Sequence, residues 1–130
     1  MNFAYTPKVE ALRTRVNTFM TEHIVPRIWL WHEETTQGQF PASFMEPLKA
    51  RARDQGLWNL FLPGLRKEEP GTRLSNLEYA PLAEIMGRVA WASEVFNCNA
   101  PDTGNMELLH MFATPEQYEQ WLRPLLQGEI

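Results

Sequence analysis

One cysteine stands in the whole chain of 130 residues. Cys98 therefore has no partner for an internal disulfide, and its solitary use fits a reducing compartment. No basic stripe exists. The nearest run, Lys49 to Arg53, alternates with alanine on one expected helix, and the net charge is −4, which disfavours nucleic acid as a partner. No stretch approaches about 20 apolar residues, so no membrane span is expected. No basic segment followed by an apolar run opens the chain, so no signal peptide is expected and the expected location is cytoplasmic. His23, His32 and His110 are isolated, and no His or Cys falls at metal-ligand spacing. The glycines are too scattered for a phosphate loop. Ser43, Ser75 and Ser93 lack a nucleophile-elbow setting. Glu33-Glu34 and Glu68-Glu69 are adjacent pairs in polar stretches, and neighbours point apart, so both read as solvated.

What is present is a succession of helix signals. Thr6-Pro7 opens a first helix carrying Val9, Leu12, Val16, Phe19, Met20 and Ile24 near one stripe. Pro26 ends or bends it. Ile28 to Phe40 shows three large apolar residues and then a polar run, and reads as an irregular arm. A second helix is expected over Ala42 to Gln55, with Pro47 tolerated near its start and Gly56 as a left-handed stop. Leu57 to Pro63 is short and apolar, and periodicity leaves an extended segment and a helical turn equally open. Gly64 to Arg73 reads as an exposed charged loop.

Ser75-Asn76-Leu77-Glu78 is a capping box, and its helix carries Leu77, Ala80, Leu82, Ile85 and Met86. Arg88 to Asn99 suggests a further helix. Asn97 to Asn105 is rich in turn formers but closely flanked by apolar residues, which points to a buried break. Thr114-Pro115-Glu116-Gln117 starts a last helix: a cap, a proline at the first position and a capping-box glutamine. Tyr118, Trp121, Leu122 and Leu125 follow at helical spacing. Gly128-Glu129-Ile130 reads as the entry to a further element, so a fragment or a truncated product is expected. Cys98 is read as a small buried filler. The five tryptophans are read as core and interface area.

Three blocks carry a resemblance: Phe96 to Glu107, Thr114 to Gln117, and Trp121 to Ile130. Phe40-Pro41, Gly56 to Pro63 and Leu82 to Gly87 support it. Together they resemble the N-terminal helical domain of acyl-CoA dehydrogenases, and within that family the branch related to the dehydrogenase module of phosphotransferase-fused proteins. The resemblance implies an all-α fold, a bundle of about six helices, over residues 1–130. It implies a parent activity: α,β-dehydrogenation of an acyl-CoA thioester, with a carboxylate taking the α-proton and FAD taking the β-hydride. The family's flavin-contacting Thr-Glu-Pro motif, its β-domain and its C-terminal α-domain are absent here. No carboxylate matches the base. The chain alone is therefore expected to be inactive and to hold little FAD. The loop after Pro63 also lacks the paired glycines common in the family.

By the same resemblance, Phe96, Asn97, Ala100, Pro101 and Gly104 line the acyl-chain cavity. The residues themselves leave a choice. Ala100 and Gly104 are four apart and would leave a groove on one helical face, or would allow a tight helix crossing. Asn97 would bond a polar group of the substrate or cap a turn. A free-standing helical interaction module is the alternative to an enzyme domain. An uncovered apolar face, drawn from Trp29, Trp31, Trp58, Leu60, Phe61 and Trp121, is expected to drive self-association.

Overall fold

A computed structural model describes residues 4–130. Among these the chain is helical, with no strand, in six helical stretches. The first runs without a break from residue 7 to residue 36. It comprises α1 (Pro7–Phe19), a wide π turn (Met20–Ile24), a tight 3-10 turn (Val25–Arg27) and α2 (Ile28–Thr36). Then come α3 (Met45–Asp54), α4 (Asn76–Met86), α5 (Ala92–Val95) and α6 (Asp102–Phe112). The last stretch joins α7 (Pro115–Gln117), a second π turn (Tyr118–Leu122) and α8 (Arg123–Gln127).

Local chemistry accounts for the ends. Thr6 accepts from the Val9 amide at 3.3 Å. Both reciprocal bonds of a capping box form at Ser75/Glu78 and at Thr114/Gln117, each cap contributing about 1 kcal/mol. Gly56 stops α3 at φ +66°.

The two π turns share one cause. Val25 donates to Met20 O, and Arg123 donates to Tyr118 O. Each donor immediately precedes a proline, Pro26 or Pro124. A proline ring collides with the carbonyl four residues back, and widening the preceding turn relieves that collision. Pro26 thus switches the first stretch to a wide and then a tight turn without ending it.

The core gathers Val16, Phe19 and Ile24, Leu57 and Leu60, Leu82 and Met86, Phe96, Met106, Leu122 and Leu126. Phe19 meets Phe96 edge-on at 5.2 Å, and Trp91 stacks with Trp31 at 6.3 Å.

Several sequence expectations are corrected. Ile28 to Thr36 is helix, not an irregular arm; it continues an existing helix and buries no residue, so no apolar stripe announced it. The second helix starts at Met45, which puts Pro47 in its first turn. Arg88 to Asn99 contains only the four-residue α5. Trp58, Leu60 and Phe61 are buried and belong to the core, not to an exposed face. The Gly64–Arg73 loop buries Leu65 and Glu69, so it is anchored and not freely solvated.

Candidate functional site

Among the described residues, two buried side chains are polar or charged: Asn59 and Glu69. Both lie on the long connection between α3 and α4. Both reach forward to the last third of the chain. Long connections without secondary structure of their own are uncommon unless something holds them; these two residues hold this one.

Asn59 sits at φ +49°, and Asn97 at φ +55°, in the left-handed region that asparagine tolerates better than most residues. The Asn59 amide N–H donates to Phe96 O at 3.1 Å. Asn97 Nδ2 donates to Asn59 Oδ1 at 2.7 Å and to Leu125 O at 3.0 Å. Asn59 Nδ2 donates to Pro70 O at 2.8 Å and to Leu126 O at 2.9 Å. Trp58 Nε1 donates to the same Leu126 carbonyl at 2.9 Å. These donors satisfy carbonyls that the end of α8 leaves without helical partners. Gly128, at φ +68°, closes that end, with Glu129 N bonded to Pro124 O and Gly128 N to Leu125 O, a Schellman closure. A Cβ on Gly128 would stand 2.6 Å from Trp58 Cζ2. The direction in which the chain leaves α8 is thereby fixed. A recess of about 300 Å³ opens there, between Asn99 and Asp102 on one side and Gly128 to Ile130 on the other.

Glu69 forms the second anchor. Its Oε2 accepts from the Arg66 amide at 2.5 Å, and its Oε1 from the Tyr118 hydroxyl at 2.7 Å. His110 Nε2 lies 3.4 Å from Oε2. Arg73 donates to the carbonyls of Arg66, Lys67 and Glu69. Burial pushes the Glu69 carboxyl up, but the Arg66 N–H, the Tyr118 hydroxyl and His110 together outweigh it and hold the group below its ordinary value. Burial and then Glu69 itself push Tyr118 up to about 12. This is a tether of the loop onto α6 and the second π turn. Sequence reading missed it, because its members stand 41 and 49 positions apart and no local pattern joins them.

The sequence-predicted site residues divide. Phe96 is fully buried. Asn97 is half-buried and spends both amide hydrogens inside the protein, so it closes a turn. Ala100, Pro101 and Gly104 are exposed, and a Cβ on Gly104 would meet nothing within 4 Å. Ala100 lies in the turn before α6, not on it. Cys98 is buried beside the Tyr79 hydroxyl, and burial pushes its thiol up to about 12, as a filler and not a nucleophile.

The model of the acyl-CoA dehydrogenase N-terminal domain matches residues 6–129. The chain belongs to the acyl-CoA dehydrogenase family. It is 48% identical to a probable acyl-CoA dehydrogenase, FadE2, of Mycobacterium tuberculosis, covering 100% of this chain and 32% of that protein. It is 40% identical to human acyl-CoA dehydrogenase family member 11, covering 98% of this chain and 16% of the relative. A solved structure of a putative acyl-CoA dehydrogenase from Mycobacterium abscessus superposes with a TM-score of 0.84 at 45% identity, over 98% of this chain and 33% of that one. The acyl-CoA dehydrogenase N-terminal fold is thus shown for this chain, which spans about a third of its mycobacterial relatives.

Four helix starts here do not suit the diphosphate of FAD, the family's general cofactor. A diphosphate favours a helix N-terminus free of carboxylates, but Glu10, Glu46, Glu78 and Asp102 occupy the first turns of α1, α3, α4 and α6. The stacked rings of Trp31 and Trp91 face each other and offer no slot between them. No group of ≥ 3 His, Cys, Asp or Glu able to hold a metal occurs among the described residues, and no helix there is long and apolar enough to cross a membrane.

Proposed function

We propose that this chain serves as the first α-domain of an FAD-dependent, cytoplasmic acyl-CoA dehydrogenase acting in fatty-acid breakdown, and that it supplies one wall of the acyl-chain cavity. The observation that carries the wall is the exposed step of Ala100, Pro101 and Gly104 at the start of α6. Small side chains there leave room beside an open backbone. Phe96 and Asn97 back that step from inside: Phe96 by packing on Phe19, Asn97 by its bonds to Asn59 and Leu125. The flavin and the base come from the rest of the enzyme, so the chain alone neither retains FAD nor turns over an acyl-CoA. Its uncovered apolar residues then drive self-association.

The test joins this chain to the remaining two thirds of the M. tuberculosis relative and measures acyl-CoA oxidation against chain length. Gly104→Leu shifts the optimum towards shorter chains while flavin content holds. An unchanged profile in a flavin-loaded enzyme removes these residues from the cavity wall. A yellow, active preparation of the chain alone sinks the division of labour.

A further inference from the structure

A cavity of about 330 Å³ opens between α2 and the short connection from α4 to α5, within the size range of small-molecule sites. The near-parallel rings of Trp31 and Trp91, 19° apart in plane, join its two sides. Trp91 is anchored in turn on Phe44 at 5.3 Å. Ile28 and Trp29 on α2, and Val89 and Ala90 on the connection, complete the apolar lining. Trp91 is 7% exposed and Trp29 81%, so a fixed floor stands beside a free indole. The single methyl of Ala90 leaves the space unfilled. An indole left in water beside an unfilled apolar cavity forfeits burial that a flat guest would supply.

The rest of the lining is Arg88 and His32, and no carboxylate is among the lining residues. Arg88 donates to the neutral Oδ1 of Asn17 at 3.2 Å, and among the described residues it has no ion pair. Arg13, Lys49 and Arg123 differ in this, each being paired with a glutamate. A guanidinium fork fits a carboxylate through two parallel bonds, and the His32 ring carries an N–H in either tautomer. Apolar volume, an exposed indole and an unpaired cation together specify a guest with a flat apolar body and one negative end. A saturated chain would fill the volume without stacking on the indoles. We infer that this cavity is a binding site for a small aromatic carboxylate. None of the residues proposed for the acyl-chain wall lines it, and the inference does not rest on the chain acting in an acyl-CoA dehydrogenase.

Calorimetric titration of the chain with naphthoate, with its neutral amide naphthamide and with octanoate tests the site. Naphthoate is expected to bind roughly tenfold or more tightly than either of the others. Arg88→Gln is expected to bring naphthoate down to the affinity of the amide and to leave the amide unchanged. Ala90→Leu fills the cavity, so naphthoate and naphthamide should each weaken about tenfold. In NMR spectra the indole N–H signals of Trp29, Trp31 and Trp91 are expected to shift on binding. The signal of Trp58, whose Nε1 is bonded to Leu126 O, should stay in place and reports that each variant is folded. Equal affinity for naphthoate and naphthamide overturns the inference, as does octanoate binding as tightly as naphthoate. Shifts confined to Trp58 or Trp121 overturn it too. Should Ala90→Leu not fold, the exposed Arg88→Gln decides alone. A dimer that Ala90→Leu dissolves and naphthoate does not would give the cavity to a second copy and overturn the inference. Binding that is lost in a folded fusion with the remaining two thirds of the M. tuberculosis relative would do the same.

Discussion

The side-chain amide of Asn97 donates to the side-chain oxygen of Asn59 across 2.7 Å, and both residues hold left-handed backbones. Neither residue sits in regular structure. Each presents one amide hydrogen to the end of α8, Asn59 to Leu126 O and Asn97 to Leu125 O, from a backbone turned out of the helical and extended ranges. The pair therefore converts two local turns into one fixed helix terminus.

Removing one member strands the other. Asn97→Ala leaves Asn59 Oδ1 without a donor and leaves the Leu125 carbonyl with the Gly128 amide alone, at about 1–3 kcal/mol for the group that stays dry. Asn97→Gly keeps the positive φ and isolates the hydrogen-bond loss. Urea denaturation is expected to show both variants destabilised, alanine more than glycine because it also resists the backbone. A wild-type midpoint for Asn97→Gly would mean that water replaces the amide without loss.

Glu69 imposes a pH dependence with a definite sign. Its carboxyl is lowered from 4.5 in the fold. A depressed folded value stabilises fully above the unfolded value and is lost as pH falls through the folded one. The groups facing it are Arg66, Tyr118 and His110. Glu69→Gln is expected to be less stable than wild type by about 1–3 kcal/mol near neutrality. The gap should close on acidification below pH 4.5. A gap that widens with acid contradicts the assignment.

Much of the helical framework is legible in the sequence, and the reasons are local. Ser75/Glu78 and Thr114/Gln117 bond to amides three residues away, so spacing alone reveals them. Gly56 is similar. Features set by distant partners are not legible. Glu69 looks like its neighbour Glu68 until His110 and Tyr118 fold over it. α2 shows no stripe because it buries no residue fully, and Trp31 alone packs half-buried against the core. Trp58 and Phe112 illustrate the same limit from opposite sides: both are large and apolar, yet one is 3% and the other 72% exposed.

Gly128 combines two demands that no other residue meets together. Its φ is +68°, and a Cβ would enter the space of Trp58 and Arg53. Gly128→Ala is expected to cost about 1–3 kcal/mol and to alter Trp58 emission, since the indole must shift. Thermal unfolding and fluorescence check both. Unchanged melting would show that the end of α8 frays and that the clamp is idle.

Cys98 supplies a probe that needs no substitution. Burial, foremost among its influences, pushes the thiol up to about 12, so almost no thiolate exists near neutrality. Alkylation of the folded chain is expected to be at least about a hundredfold slower than of the chain in denaturant. Rapid labelling under native conditions would show that the Tyr79–Cys98 side of the core opens readily.

The wide turn before Pro124 gives that proline leverage over residues it does not touch. A π turn holds one residue more than the α-helix around it needs. With alanine at 124, the collision that favours the wide turn disappears, and the helix is free to wind regularly over the same residues. Every position beyond would then rotate by up to roughly 100° about the axis. Leu125 and Leu126 would carry their carbonyls away from Asn97, Asn59 and Trp58, and Gly128 would leave its seat on the indole. A ring that makes no hydrogen bond thus sets the phase of the helix, and through it the heading of Gly128 to Ile130.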